Sequence, residues 1–332
     1  MHPSGRVFQA ARQESLLEAA LRAGLSPQYR CSNGSCGECR ARLLSGAVGN
    51  GRFHDFRLSA ADQANGWFLL CCASPAANLV VEAAVAGGAA DIPAQEIAAR
   101  VDKIERLGAG IVGLRLRTPR TQVLRFLAGQ HVRLTIPGFA PRSKSIASCP
   151  CHATALEFHV RHAPQDSFAG HVFTRLKPGD PVSVQGPWGR FTLCEDSRRP
   201  ALFLAYETGL APIKSLIEHA VAIEYPGPLH LYWAVRTPGG HYLANWCRSL
   251  VDALDNFDYT PIGCAGIEAE GRREAAHDLL TAARRMLADH PRIADYDVYA
   301  SGPPANMAAA RALLLERGLP QEQLFIDDPP RF

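Results

Sequence analysis

The sequence predicts an α+β chain of three domains: a small α+β domain over 1–85, an antiparallel β-barrel over 97–197, and a doubly wound α/β domain over 198–332. Cysteines crowd the first block between short apolar runs. Polar and apolar residues alternate with period two in the second. In the third, short apolar runs are separated by helical patterns. A chain of 332 residues is long enough for two or three domains of ordinary size.

In the first block Ser15 can cap a helix whose apolar residues Leu16, Leu17, Ala20 and Leu21 share one face, and Gly24 is placed to end it. The loop from Tyr29 to Cys39 follows, then short strands ending at Leu79-Val80-Val81, an order that fits a β-grasp. Cys31, Cys36 and Cys39 are spaced C-x4-C-x2-C, with Cys71 or Cys72 as a fourth, the plant-type ligand pattern for a 2Fe-2S cluster. Gly34 and Gly37 let the loop bend tightly and bring N–H groups close to sulfur. Zinc prefers paired C-x2-C hooks, and only one is present; buried free thiols are the other alternative. Trp67-Phe68-Leu69-Leu70-Cys71-Cys72-Ala73-Ser74-Pro75 resembles the ferredoxin segment in which an apolar strand delivers the last ligand. That register makes Cys71 the ligand and Cys72 its neighbour.

Residues 86–96, rich in Ala and Gly, read as a linker. In the barrel block His131–Ile136 and Leu156–Arg161 alternate as strands, with turn signals at Pro137-Gly138 and Lys177–Asp180. In the last block Ala201–Ala205, Leu229–Ala234 and Asp297–Ala300 suit buried parallel strands, and Lys214–Ala222 and Ala305–Arg317 suit helices. Such sheets bind ligands beyond the carboxyl ends of their strands.

Apolar content of 47% and charged content of 20% are those of a soluble globular protein. A formal net charge of +3 argues against nucleic acid or a membrane surface as partner. No apolar run reaches the ~18 residues of a membrane span, and no signal-peptide pattern opens the chain. Ten cysteines in a chain this long, with a ligand set that needs thiolates, point to a reducing cytoplasm.

This order of blocks resembles the fused form of the ferredoxin–NADP reductase superfamily. The supporting segments are Phe126–Gln130, Arg142–Ser148, Gln185–Phe191, Thr208–Ile213 and Ser301–Pro304. Ala211–His219 and Leu231-Tyr232-Trp233 are nearest to CDP-6-deoxy-3,4-glucoseen reductases, with oxygenase reductase components close by. The resemblance implies transfer of electrons from NAD(P)H through FAD to the cluster and on to an acceptor redox protein, an oxygenase or dehydratase. It implies Arg142 on the flavin pyrophosphate, Lys144 at the position that stacks on the flavin, and Ser145 near its reactive nitrogen. It also implies Thr208 and Gly209 in the nucleotide-binding turn and Ser301, Gly302 and Pro303 by the nicotinamide. Ser145 and Ser301 become the candidate catalytic residues.

The chain departs from that pattern in linked places. Lys144 replaces an aromatic ring. Asp166-Ser167-Phe168-Ala169 stands where the family has Gly-x-x-Ser/Thr, putting a carboxylate where phosphate is expected and losing the hydroxyl. Tyr206-Glu207-Thr208-Gly209 replaces Gly-Gly-Thr-Gly. These changes predict FAD held more loosely than in the relatives. They also leave an alternative, a redox-relay or scaffolding subunit that no longer oxidises NAD(P)H.

Among His152, His159 and His162, only His159 shares a face with Glu157, which speaks against a metal site. Cys149, Cys151, Cys194, Cys247 and Cys264 read as structural thiols. Arg40, Arg42 and Arg52 form a solvated rim near the cluster loop, suited to an acidic partner.

Overall fold

The structure, a computed structural model, describes residues 1–49, 51–108, 110–151, 155–237, 239–263 and 279–329. His152 and Cys264 lie outside the described residues.

Helix α1 (Leu16–Arg22) starts where Ser15 Oγ accepts from the Glu18 N–H at 3.1 Å and the Glu18 carboxylate accepts from the Ser15 N–H at 3.0 Å. Leu16, Leu17, Ala20 and Leu21 are buried on one face. The chain turns away at Gly24, whose φ of +76° favours glycine. Then come β1 (Arg40–Ser45), the short helix α2 (Ala60–Ala64), β2 (Trp67–Leu69) and β3 (Val80–Glu82). The strands make an antiparallel sheet in the order β2-β1-β3, with the cysteine loop between α1 and β1.

The stretch read as a linker is more ordered than its composition suggests. A 3-10 turn spans Ala89–Asp91, where Asp91 Oδ2 accepts from the N–H groups of Gly87 at 2.8 Å and Gly88 at 3.1 Å. Strand β4 (Gln95–Gly108) begins within it, because Gln95 and Glu96 pair with Gly186 and Gln185.

The barrel continues with β5 (Ile111–Arg117), β6 (His131–Thr135), β7 (Arg142–Ser145), β8 (Ala155–Arg161), helix α3 (Ser167–Thr174) and β9 (Pro181–Trp188). Its strands are all antiparallel, in the order β7-β6-β9-β4-β5-β8, and nearly close on themselves. Leu114, Leu134, Leu156 and Phe158 fill the inside, with Phe168 of α3 among them.

The third domain runs β10 (Ala201–Tyr206), α4 (Leu210–Ala222), β11 (Leu229–Ala234), α5 (Ala244–Ala253), β12 (Phe257–Ile262), α6 (Leu279–Asp289), β13 (Asp297–Ser301), α7 (Pro304–Glu316) and β14 (Leu324–Ile326). Its parallel sheet is ordered β12-β11-β10-β13-β14. The direction of winding therefore reverses between β10 and β13, which puts the expected ligand crevice beyond Tyr206 and Ser301.

The first domain sits against both others. The Ser32 N–H donates to Arg120 O and the Val123 N–H to Arg30 O, each at 2.8 Å. Buried Arg125 donates to Ser26 O at 2.8 Å. At Gly24 a Cβ would strike Ile223 and come within 3.0 Å of His219 Cε1, so glycine permits the contact with the α4 end.

Candidate functional site

The cysteine loop and the turn after β2 gather five thiols. Cys36 Sγ lies 3.1 Å from Cys31 Sγ, and Cys39 Sγ lies 3.2 Å from Cys71 Sγ. Cys72 Sγ is 3.6 Å from Cys71 Sγ and faces Gly34, where a Cβ would stand 2.5 Å from it. The two thiol pairs suit a binuclear centre with two thiolates on each iron. The donor set therefore fits a 2Fe-2S cluster better than zinc. Burial pushes the Cys31 thiol up, but bonds from the Cys36 thiol and nearby N–H groups outweigh it and lower it, while burial and the same pairing raise the Cys36 thiol. Gly34 and Gly37 both have φ of +78°, and a Cβ on Gly37 would run into the Phe56 ring.

The second centre is a cavity of about 280 Å³ between the barrel and the α/β domain. Ser143, Lys144 and Ser145 line it from β7; Thr208, Gly209, Ser301, Gly302 and Pro303 line it from the ends of β10 and β13. Gly209 is needed sterically, since a Cβ would meet Ser301 O and come within 3.0 Å of Gly302 N. Ser145 Oγ and Ser301 Oγ both donate to Asp327 Oδ2 at 3.0 Å. One carboxylate thus links the two serines across the domain boundary. Burial lifts the Asp327 carboxyl to about 6, against the lowering effect of the two hydroxyls. Burial lowers the pKa of Lys144, partly offset by Asp166.

The two acidic departures occupy cationic places. Asp166 caps α3: Oδ1 accepts from the N–H groups of Phe168 at 3.0 Å and Ala169 at 3.4 Å, and from Arg142 Nη2 at 3.2 Å. It thus engages both a helix N-terminus and an arginine, the groups that otherwise receive a phosphate. Arg142 itself lies outside the cavity lining, beside Asp166. Burial pushes the Asp166 carboxyl up, but Arg142 and the helix N–H groups outweigh this and hold it low. Glu207 has φ of +56°, a conformation suited to the glycine it replaces. Its buried carboxylate pairs with Arg161 of β8 and lies 3.6 Å from Arg236 Nε, while the Arg236 N–H donates to Oε1 at 2.8 Å. Its charge is neutralised, and it ties the barrel to the α/β domain. Arg142 is likewise engaged by Asp166, while Lys144 lines the cavity.

Sequence reasoning missed Asp327, Arg161 and Arg236. Asp327 follows a short edge strand and belongs to no motif, and the arginines gain meaning only from the domain packing. His159 Nε2 bonds Glu157 Oε1 at 3.0 Å and Nδ1 bonds the Tyr242 hydroxyl at 2.8 Å, while Lys214 approaches Glu157 at 3.3 Å. The bonds to Tyr242 and Lys214 join the barrel to the α/β domain, and His162 packs edge-on against Phe173. Cys149 and Cys151, expected as thiols, are joined as a disulfide around Pro150.

Known proteins show the same three parts. Residues 1–76 match the 2Fe-2S iron-sulfur cluster binding domain, 98–193 the oxidoreductase FAD-binding domain and 203–312 the oxidoreductase NAD-binding domain. The chain is 31% identical to CDP-6-deoxy-L-threo-D-glycero-4-hexulose-3-dehydrase reductase of Yersinia pestis, over 98% of this chain and 96% of that one. It is 28% identical to the reductase component of propane 2-monooxygenase from Rhodococcus jostii, over 96% of this chain and 88% of that one. The crystal structure of the Amycolatopsis cytochrome P450 reductase GcoB is similar with a TM-score of 0.63 and 27% identity, covering 98% of this chain and 96% of that chain. With both cofactor-domain types and the cysteine pairs in one chain, the protein belongs to the family of fused 2Fe-2S ferredoxin, FAD-binding and NAD-binding reductases, electron-transfer oxidoreductases that draw on NAD(P)H.

Proposed function

We propose that this chain delivers electrons singly to a separate acceptor protein, an oxygenase or dehydratase, through a 2Fe-2S cluster held by Cys31, Cys36, Cys39 and Cys71. The observation that carries the reading is the pairing of sulfurs, Cys31 with Cys36 and Cys39 with Cys71, at 3.1 and 3.2 Å. Cys72 stands outside both pairs. Flavin, when bound, accepts a hydride's two electrons together and releases them one at a time, reconciling NAD(P)H with a one-electron centre. Arg142 and Lys144 supply the positive charge for its pyrophosphate. Ser145 and Ser301 present hydroxyls from opposite walls of the cavity, aligned by Asp327 Oδ2. A cluster of this type sits near about −400 mV, reducing enough for an oxygenase or dehydratase.

Purified protein supplemented with FAD should reduce cytochrome c and ferricyanide at the expense of NADH or NADPH. Absence of turnover with an intact cluster would favour the second reading, a redox-relay or scaffolding subunit. One observation speaks for that reading: Asp166 and Glu207 stand in cationic places that a dinucleotide's phosphates would use.

A further inference from the structure

We propose that Cys149 and Cys151 form a redox-active thiol–disulfide site, open to a second cavity, that exchanges with small carboxylate-bearing thiols of the glutathione class.

The pair is unlike the chain's other cysteines. Among the described residues it makes the one disulfide, while seven other cysteines are free. A loop closed across a single residue, Pro150, removes little chain entropy from the unfolded state, so the bond serves stability poorly. Its two halves differ in access. Cys149 is fully buried, whereas Cys151 is half-buried and lines a cavity of about 750 Å³ between the first domain and the barrel. That volume falls within the range of small-molecule sites, about 300–1,000 Å³.

The backbone leading to Cys149 is clamped to α4. Lys214 Nζ donates to Ala147 O at 3.3 Å, Ser215 Oγ to Ser148 O at 2.7 Å, and the Cys149 N–H to Glu218 Oε2 at 3.0 Å. The Cys151 N–H donates to Cys149 Sγ at 3.3 Å, a contact that favours the thiolate left on Cys149 when the bond opens. One cysteine reached from a cavity, and one held behind it with a donor on its sulfur, is an arrangement suited to exchange.

The charge of the cavity selects the thiol. Its three carboxylates are already paired: Glu14 lies 2.8 Å from Arg22, Glu18 3.4 Å from Arg52 and Glu157 3.3 Å from Lys214. Arg115 and Arg117 also line it and share one carboxylate, Asp102, at 3.1 and 3.9 Å. Arg120 lines it too and forms no ion pair among the described residues. Positive charge is thus left over on the lining, where it attracts a thiol that carries carboxylates.

In the exchange, an entering thiolate attacks Cys151 Sγ. A new S–S bond forms there as the Cys149–Cys151 bond breaks, and Cys149 departs as a thiolate and takes up a proton. A second thiolate attacks the entered sulfur of this mixed disulfide, releasing the small disulfide and a Cys151 thiolate that is protonated in turn. Two small thiols are oxidised to one disulfide, and the protein pair takes up their two electrons and two protons.

The test uses the full chain with its cluster, kept anaerobic in buffers of reduced and oxidised glutathione. Thiols are trapped with iodoacetamide and located by peptide mass spectrometry. The pair should pass reversibly between disulfide and dithiol as the buffer is changed. In Cys149→Ser, oxidised glutathione should leave one glutathione on Cys151; in Cys151→Ser, Cys149 should take none. Per thiolate, reduction of the parent should be fastest with glutathione, slower with uncharged 2-mercaptoethanol and slowest with cationic cysteamine. Arg117→Glu should slow the glutathione reaction about tenfold and leave the 2-mercaptoethanol rate unchanged. A disulfide that reduced glutathione leaves intact, or a pair of thiols that oxidised glutathione leaves free, overturns the proposal. Equal rates per thiolate with the three thiols, measured on the parent and so independent of any variant's folding, overturn the choice of ligand. Glutathione on Cys149 but not on Cys151 in the two variants overturns the choice of attacked sulfur.

Discussion

Arg142 and Asp166 are 3.2 Å apart, joined Nη2 to Oδ1 between the start of β7 and the N-terminus of α3. A carboxylate that the sequence sets against a phosphate therefore spends its charge on an arginine and two helix N–H groups. On the proposed reading, bound flavin displaces it. The double variant Asp166→Gly/Ala169→Ser frees Arg142 and restores a hydroxyl, each change worth about 1–2 kcal/mol. Flavin released by acid precipitation should be substoichiometric in the parent after dialysis and near one per chain in the variant. Full occupancy in the dialysed parent would show that Asp166 does not oppose binding.

Glu207→Gly should release Arg161 and Arg236 toward the pyridine nucleotide and remove about 1 kcal/mol of left-handed backbone strain. The KM for NAD(P)H should fall severalfold with little change in kcat. Glu207→Ala would remove the same carboxylate but keep the strain, so its melting temperature should lie below that of the glycine variant. Equal KM values in all three proteins would remove Glu207 from nucleotide recognition.

Asp327 should impose an acid limb on hydride transfer. With its carboxyl near 6, it is ionised above that pH and accepts both serine hydroxyls; below it, protonation removes the negative charge that holds the two hydroxyls on Oδ2. NAD(P)H-dependent ferricyanide reduction should fall as pH drops through about 6, and Asp327→Asn should abolish that inflection. The stability effect has the opposite sense. Between the ordinary value of 3.8 and about 6 the folded chain holds the extra proton, so stability declines as pH rises through this window and levels off above it. Denaturant midpoints of the parent and the Asn variant across pH 4–7 would reveal the difference.

Cys36→Ser and Cys71→Ser should each lose two irons per chain and the reduced-state paramagnetic signal, while Cys72→Ser keeps both. Loss in the Cys72 variant alone would transfer the fourth ligand to that neighbour.

Much of this was legible in the chain because its signals are local. The Ser15–Glu18 cap, the period-two alternation of His131–Ile136 and the apolar run Leu229–Ala234 each depend on residues within one element. The spacing made the cysteines readable as a candidate ligand set, but their grouping into Cys31 with Cys36 and Cys39 with Cys71 emerges only from the folded loop. The acidic substitutions were visible as departures, but their consequence was not. Asp166 meets Arg142 across 24 residues and Glu207 meets Arg161 across 46, so their neutralisation follows from packing between elements. Ser145 and Asp327, 182 residues apart, meet only when the barrel docks on the α/β domain.

That Gly24 lets the first domain lie flush against the end of α4 has a kinetic consequence. With Arg125 inserted toward Ser26 and Ser32 bonded to Arg120, the first domain is bonded directly to the barrel rather than joined to it by the connecting segment alone. Electron passage within the chain should then be indifferent to glycerol or sucrose viscosity, whereas delivery to a diffusing acceptor should slow in proportion to it. Gly24→Leu, by wedging that contact apart, should make the internal step viscosity-dependent as well.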